Sequence, residues 1–243
     1  MKRSLLITAI SLLYTVWLPV GKAAELENDR VKEVSVIDQT KARFPGAMRV
    51  VGIEEGFVSV AVLVDEEGNV SDTLVLESTG SAFTNSALKA IEEWSFRPAQ
   101  LQGSTVPSSA KLDFDFRLDE ELRWQIQAPA QADITHTTLS EDPISFTPFD
   151  ELDRIPLPIR ITEPNSFRSG SATIEFYIDE TGSVRCPSVI SSPSLNLGRE
   201  LVDTVVGWSF EIPLKSGRPT NTRVRQTFAC KDGKLSSASN GND

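Results

Sequence analysis

Two acidic turns are the first places in this sequence where the residue types could do chemistry. Asp65-Glu66-Glu67-Gly68 and Asp179-Glu180-Thr181-Gly182 each set neighbouring acidic residues before a glycine, which could bind calcium or supply a catalytic carboxylate pair. A calcium loop needs acids at alternating positions and a bidentate Glu further along, and neither turn has them. Adjacent carboxylates beside Gly are typical of tight hairpin turns. We therefore interpret both segments as turn-forming and solvated.

The other candidates for catalysis or metal binding are one histidine and two cysteines. His136 lies among Asp and Thr residues with no nucleophile turn nearby, so a Ser-His-Asp triad is not indicated. Cys186 and Cys230 with a single His are too few ligands for a standard structural zinc site. The glycines are spread among turns and form no phosphate-binding loop. The sequence predicts a protein that is not an enzyme, with no catalytic residue, no metal site and no cofactor.

The N-terminus predicts export from the cytoplasm. Lys2 and Arg3 precede an uncharged run from Ser4 to Val20, and small residues at Gly21 and Ala23 suit cleavage after Ala23. The uncharged run is 17 residues long, which is the lower limit for a membrane span. We expect a cleaved signal peptide and a periplasmic protein; the alternative is an uncleaved inner-membrane anchor. Cleavage would change the net charge from −10 to −13, which disfavours nucleic acid as a partner.

Comparison of the sequence with itself reveals an internal repeat at a constant offset of 114 residues. The segment from Asp65 to Val70 aligns with Asp179 to Val184, and Trp94-Ser95-Phe96 aligns without a gap with Trp208-Ser209-Phe210. Each copy predicts an alternating strand, a hairpin turn, a second strand, a helix with an apolar stripe and a third strand. We therefore expect two tandem copies of one small β-β-α-β domain.

The order of elements limits how each sheet can be built. The helix crossover makes the second and third strands parallel, so an all-antiparallel sheet needs the first strand in the middle. This predicts an α+β fold in which each copy is a three-stranded antiparallel sheet packed on one helix. The third strand is then an unpaired edge, which is either blunted or used for docking. The same order separates Cys186 from Cys230 by a strand, which disfavours a disulfide; another strand order would leave it open.

These patterns divide the chain into five parts. Residues 1–23 are the signal peptide, 24–118 the first domain with its leading segment, 119–154 a linker, 155–230 the second domain and 231–243 a disordered tail. Thr84 or Asn85 is expected to cap the first helix, and Asn196 the second.

Several motifs in the first copy resemble, in the same order, the C-terminal domain of the TonB family. They are Arg43-Phe44-Pro45, Gly56-Phe57-Val58-Ser59-Val60, the turn from Asp65 to Val70, and Trp94-Ser95-Phe96-Arg97-Pro98 followed by Gly103. The resemblance covers about residues 31–118. The second copy is more divergent, with Ile212 in place of the aligned Pro.

The resemblance implies a binding module that takes a short peptide from an outer-membrane receptor or another envelope protein as an added strand. The docking edge would run from Ser109 to Phe116, and from Thr222 to Cys230 in the second copy. The partner-binding residues implied are Arg43, Phe44, Pro45, Ser109, Lys111, Asp113 and Asp115.

Two alternatives remain open. The first is a membrane-anchored energy transducer of the TonB type. The resemblance implies that such a transducer has a His in its membrane helix and a long spacer across the periplasm. Here the apolar segment has no His, and the spacer of residues 24–43 is short, so both features disfavour this alternative. The second is a self-associating envelope scaffold whose edges are consumed by pairing between copies.

Overall fold

The computed structural model describes residues 29–118, 144–164, 169–231 and 234–237. The predicted signal peptide, His136 and the end of the tail from residue 238 lie outside these ranges. No helix among the described residues is long and apolar enough to span a membrane.

The first half of the chain contains two helices and seven strands within the described residues. In chain order they are β1 (Ser35–Asp38), α1 (Gly46–Val50), β2 (Glu55–Val64), β3 (Val70–Ser78), α2 (Ser81–Ile91), β4 (Ser95–Arg97), β5 (Ala99–Leu101), β6 (Ser104–Val106) and β7 (Ser108–Arg117). The main sheet has the order β3-β2-β7 and is antiparallel throughout. We call it the N-terminal sheet; its central first strand agrees with the prediction.

The second half repeats the main sheet and its covering helix at the 114-residue offset, has no helix among its described residues in place of α1, and adds one strand to the sheet. Its elements are a short 3-10 helix (Phe149–Glu151), β8 (Pro158–Arg160), β9 (Gly170–Ile178), β10 (Val184–Ser191), α3 (Leu195–Val206), β11 (Ser209–Phe210), β12 (Leu214–Lys215), β13 (Arg218–Pro219), β14 (Thr222–Lys231) and β15 (Lys234–Ser237). The C-terminal sheet has the order β10-β9-β14-β15. The α+β class with antiparallel sheets is confirmed.

The tail prediction is wrong for residues 234–237, which form the fourth strand of the C-terminal sheet. β15 pairs antiparallel with the end of β14, so that Leu235 lies opposite Cys230. Sequence patterning missed this strand because it is short and polar, with one apolar residue among Lys and Ser. Backbone pairing with an open edge, together with partial burial of Leu235, stabilises it.

Alternation along the strands builds one core under each helix. In the N-terminal sheet, Val58, Val60, Val62 and Val64 are fully buried and pack with Phe83 of α2. In the C-terminal sheet, Ile174 and Phe176 pack with Leu197 and Leu201 of α3. A period of two in the strands and of 3.6 in the helices brings these apolar faces together.

The two sheets pack face to face, with a helix outside each one. Ala61, Leu74 and Leu76 of the N-terminal sheet form a third cluster with Tyr177 and Cys186. Along β10, Arg185 contacts β3, Cys186 contacts β2 and Ser188 contacts β7, so β10 lies across all three strands. Such a crossing is typical of orthogonal sheet packing. The third-strand edges therefore do not pair with each other.

The halves also share their outer elements. Ala99, Leu101 and Val106 of the β5–β6 hairpin are fully buried in the core beneath α3. Residues 144–147, within the predicted linker, bond to both halves: the N–H of Ser78 donates to the carbonyl of Ile144 at 3.4 Å, and the N–H of Thr147 donates to that of Asn221 at 2.9 Å. The halves are consequently joined by more than the chain connection.

Both predicted helix caps are wrong. α2 begins at Ser81 after Gly80, three residues before Thr84, and no side chain caps it. α3 is capped by Ser194, whose hydroxyl accepts a hydrogen bond from the N–H of Leu197 at 3.2 Å. The apolar stripes located each helix, but the N-cap position is Gly80 for α2, four residues before Thr84, and Ser194 for α3, two residues before Asn196.

The repeated motifs contact each other inside each half. The carbonyl of Gly68 accepts from the N–H of Phe96 at 3.3 Å, and that of Gly182 from the N–H of Phe210 at 2.8 Å. A Cβ on Gly68 would stand 2.2 Å from the Phe96 carbonyl oxygen, and the glycine φ is +92°. The glycine is therefore required where the hairpin turn meets the segment after the helix.

Candidate docking edge

The third strand of the N-terminal sheet is paired on one side within the described residues. β7 pairs with β2 from Ser108 to Arg117 without a bulge. The N–H of Leu118 donates to the carbonyl of Glu54 at 2.9 Å, so the hydrogen bonds to β2 fall on even-numbered residues of β7. The backbone N–H and C=O groups that point to the open side belong to Ser109, Lys111, Asp113, Asp115 and Arg117. They could accept an added strand.

A groove runs between this edge and the segment before α1. We call residues 39–45 the leading segment. One part of the groove, of about 370 Å³, lies between residues 39–42 and residues 113–116 with Trp94. The adjoining part, of about 720 Å³, lies between residues 40–44 and residues 115–117 with Arg49. We call this larger volume the wider part of the groove and the other the narrower part. The edge is thus accessible and has side chains on its far side.

Packing and one indole hydrogen bond position the leading segment. The Nε1 of Trp94 donates to the carbonyl of Thr40 at 2.8 Å. The ring of Phe44 contacts Phe83 of α2 edge-on, with ring centroids 5.5 Å apart. Phe83 in turn contacts Phe116 of β7 at 5.1 Å. One aromatic row therefore links the leading segment, the helix and the edge strand.

The structure brings some of the predicted binding residues together and separates others. Arg43, Phe44 and Asp115 line the wider part of the groove, and Asp113 lines the narrower part. Pro45 lines neither part; it is the residue before the first turn of α1.

Ser109 and Lys111 lie at the far end of the same strand. The Ser109 hydroxyl is 2.9 Å from that of Ser188, so its side chain belongs to the contact between the sheets. The Lys111 ammonium is 3.2 Å from the Asp113 carboxylate in an exposed pair. For both residues the backbone, and not the side chain, faces the open edge.

Three basic residues of the groove were missed by sequence reasoning. Lys41, Arg49 and Arg117 line the wider part together with Arg43, against Asp115 as the acidic residue there. The Nε of Arg49 is buried without a hydrogen-bond partner. This end of the groove is locally basic in a chain of net charge −10. The cluster of Lys41, Arg43 and Arg49 within nine residues was the available signal.

The equivalent edge in the C-terminal sheet is partly occupied. β14 matches β7 residue for residue at the 114-residue offset. β15 pairs with Phe228 to Lys231, which correspond to Phe114 to Arg117 beside the groove. The sequence-derived edge from Thr222 to Cys230 is therefore covered over its last three residues by the chain itself.

The acidic turns are formed as the sequence indicated. Oδ1 of Asp65 accepts from the N–H groups of Glu67 and Asn69 at 3.1 and 2.8 Å. Oδ1 of Asp179 accepts from those of Thr181 and Ser183 at 2.9 and 3.0 Å. Their carboxylates serve the turns. Within the described residues, no group of His, Cys, Asp and Glu could hold a metal ion.

An ion pair with two hydrogen bonds joins the two sheets. The Nε of Arg185 donates to Oδ2 of Asp72 at 3.0 Å, and a second guanidinium nitrogen donates to Oδ1. Burial acts to raise the pKa of Asp72, but Arg185 and the N–H and thiol of Cys186 outweigh it, so this pKa lies below its usual value.

Cys186 is buried in the contact between the sheets and Cys230 in the core under α3, and no disulfide joins them.

The fold and the edge define a class of protein. A three-stranded antiparallel sheet, a single covering helix and an unpaired edge beside a groove make a small α+β domain suited to strand addition. Residues 40–118 match the family model of the Gram-negative bacterial TonB protein C-terminal. This part of the chain is therefore similar to the TonB C-terminal domain, which agrees with the motifs found in the sequence.

Individual relatives cover the same part of the chain. Protein TonB of Vibrio cholerae serotype O1 is 35% identical over 89 residues, which are 36% of this chain and 36% of that protein. The chain thus matches about a third of that relative's length. The solution NMR structure of the Pseudomonas aeruginosa TonB C-terminal domain is 27% identical, with a TM-score of 0.32, and the match covers 37% of this chain and 90% of that one. The family match ends at residue 118, so membership of the second copy stays a prediction.

Proposed function

We propose that the protein is a non-enzymatic binding module of the bacterial periplasm that docks an extended peptide on the open edge of β7. The partner is an outer-membrane receptor or another envelope protein that presents such a peptide. The observation that carries the proposal is the row of unpaired backbone groups from Ser109 to Arg117, next to the groove of about 720 Å³ beside the leading segment. The TonB C-terminal family supports the class of partner.

The geometry also supports the way the peptide is recognised. Backbone hydrogen bonds to β7 give affinity without regard to sequence, whereas side chains on alternate positions of the peptide reach the groove. A residue of the peptide opposite Phe116 would share that residue's face of the sheet and meet the aromatic row of Phe44 and Phe83. An apolar side chain suits this position.

Charge adds a second preference. Lys41, Arg43, Arg49 and Arg117 face the wider part of the groove, so an acidic residue near that end of the peptide would be favoured. Because Lys41, Arg43 and Arg117 are exposed, their contribution is screened by salt. Binding is therefore expected to weaken as the salt concentration rises.

A proline in the edge strand tests the docking mode. The N–H of Asp113 points to the open side, so Asp113→Pro removes a donor for the added strand and leaves the hydrogen bonds to β2 in place. Partners retained by the full chain from a solubilised envelope extract are identified by mass spectrometry. The segment in contact is then made as a peptide and its affinity measured by calorimetry.

The matched control is Asp113→Ala, which also removes the pair with Lys111 but keeps the N–H. We expect the alanine variant to bind within about threefold of the unchanged chain, and the proline variant at least about tenfold more weakly, since a backbone hydrogen bond and the strand geometry are both lost. Equal affinity of the two variants would mean that the peptide does not add to β7.

The anchored transducer stays a prediction, because residues 1–28 lie outside the described ranges. Intact mass after fractionation separates the two forms: a mass without residues 1–23 in the soluble fraction supports a periplasmic module. A full-length mass in the membrane fraction supports the transducer.

One surface favours the scaffold alternative. Ile155, Leu157, Ile159 and Ile161 alternate along the segment of β8, and each is between 60% and 71% exposed. A row of four exposed aliphatic side chains could pair with a second copy of the chain. Sedimentation of the full chain and of Ile159→Asp tests it: a dimer abolished by the substitution would support self-association, and a monomer at all concentrations would exclude it.

A further inference from the structure

The edge of the C-terminal sheet carries a strand supplied by the chain's own tail. β15 is four residues long and is separated from β14 by two residues. It covers residues 228–231, which correspond to four of the five residues of β7 that adjoin the groove. The two halves of the chain therefore differ in whether this edge is already occupied.

The contact is local and small. Leu235 is half-buried and packs on the core under α3, beside Phe228 and Cys230. Lys234 and Ser236 are exposed, and the hydrogen bond that the Ser236 hydroxyl donates to the carbonyl of Ala229 is long, at 3.4 Å. A terminal strand with one apolar anchor and solvent-exposed backbone bonds belongs to the least stable parts of a fold. It can open without unfolding the sheet.

We propose that the C-terminal sheet has a second strand-addition site on β14, which β15 occupies and thereby keeps closed. When β15 leaves, residues 228–231 accept an extended peptide that places an aliphatic side chain where Leu235 lies. The peptide that binds should resemble β15, with one aliphatic residue between polar residues that remain exposed to solvent. This proposal does not depend on docking at β7.

Competition with the tail sets the behaviour of the site. A short connection gives a tethered strand an effective concentration on the order of millimolar. A free peptide of the same sequence should therefore fail to enter the closed site at lower concentrations. It should enter once β15 is prevented from pairing.

The experiment uses the full chain with single substitutions in β15. Leu235→Asp puts a carboxylate against the apolar cluster and should release the strand, whereas Ser236→Asp adds the same charge at the neighbouring, exposed position. Leu235→Cys places a thiol directly opposite Cys230, so oxidation can lock the strand in place. Hydrogen exchange of the amides of Ala229 and Lys231, which face β15, reports opening, and amides of β9 report whether the sheet is intact.

We expect exchange of the edge-facing amides to rise at least about tenfold in Leu235→Asp, since loss of a half-buried Leu is about one factor of ten. It should change less than about twofold in Ser236→Asp. A synthetic peptide of residues 233–238, supplied at several millimolar, should restore protection in Leu235→Asp and have no effect on the oxidised Leu235→Cys chain. The same peptide with Asp in place of Leu235 should not restore it.

Two results would overturn the proposal. The first is unchanged exchange in Leu235→Asp, which would mean that β15 does not close this edge. The second is an opened edge that the peptide does not protect. If Leu235→Asp loses protection in β9 as well, its sheet is no longer intact, and the reduced and oxidised forms of Leu235→Cys are compared instead. Equal peptide binding by these two forms would then overturn the proposal. None of these readouts involves β7. A negative result here therefore does not affect the Asp113→Pro test, and a negative result of that test does not affect this proposal.

Discussion

The contact between Asp72 and Arg185 should decide how firmly the two sheets are joined. The side chains are 28% and 33% exposed, and they form two hydrogen bonds between opposite charges, while the N–H of Cys186 donates to the same carboxylate at 3.3 Å. Asp72→Asn removes the charge and turns one acceptor into a donor facing the guanidinium. Hydrogen bonds to charged groups contribute about 1.5–3 kcal/mol, and partial exposure favours the lower half of that range. We expect the free energy of unfolding to fall by about 2 kcal/mol.

Urea unfolding at pH 7 measures the change, and the melting temperature should fall by about 4–8 °C for a protein of this length. The matched control is Asp113→Asn, which changes the exposed pair with Lys111, where the side chains are 48% and 49% exposed. That variant should lose less than about 0.5 kcal/mol. A double-mutant cycle of Asp72→Asn with Arg185→Met should give a coupling of about 1 kcal/mol or more. Equal losses in the two Asn variants, or additive effects in the cycle, would refute the reasoning.

Two further predictions concern the packing between the sheets and inside the N-terminal half. Burial raises the pKa of Tyr177 from 10.0 to about 12, and burial also raises the pKa of Cys186 above its usual 9.0. Because both groups stay neutral in the folded state to a higher pH than in the unfolded state, their contribution to the free energy of unfolding is complete below pH 9 and is lost as the pH rises toward 12. Urea unfolding at pH 8 to 11 should show this free energy declining, and a flat profile would contradict the prediction. Gly68→Ala should cost at least about 3 kcal/mol, since its Cβ would overlap the Phe96 carbonyl, whereas Gly103→Ala, at φ +81° with no atom within 4 Å, should cost about 1 kcal/mol. Equal costs would show that the close approach does not matter.

The order of the strands could be predicted because local patterns constrained it strongly. Alternation from Val58 to Val64 predicted both the strand and the face that packs under the helix, and the crossover through α2 left one antiparallel order. The acidic turns could also be interpreted correctly, since Asp65 and Asp179 bond to their own turn backbone. These features depend on residues close in sequence.

The features that sequence reasoning missed depend on contacts between distant segments. Nothing in the polar run around Leu235 predicts a strand, because its stability comes from the edge of β14 and the core beneath it. The hairpin residues Leu101 and Val106 are apolar, but their position under α3 follows only from the packing of the two halves. The basic end of the groove likewise needs the fold, which brings Arg117 to Arg49.

The repeated motifs and the candidate docking edges are different parts of the domain. In both halves the turn glycine meets the segment after the helix, and the indole of the Trp donates to a carbonyl of the preceding segment, Thr40 for Trp94 and Thr162 for Trp208. These residues build the same frame twice, and the two indoles also contact a phenylalanine of each edge strand, Phe114 for Trp94 and Phe228 for Trp208. Binding would instead depend on backbone groups, which carry no sequence signal, and on whether another segment already covers them. Two halves with the same motifs can therefore differ in availability for a partner, and the tail after β14 is where that difference is encoded.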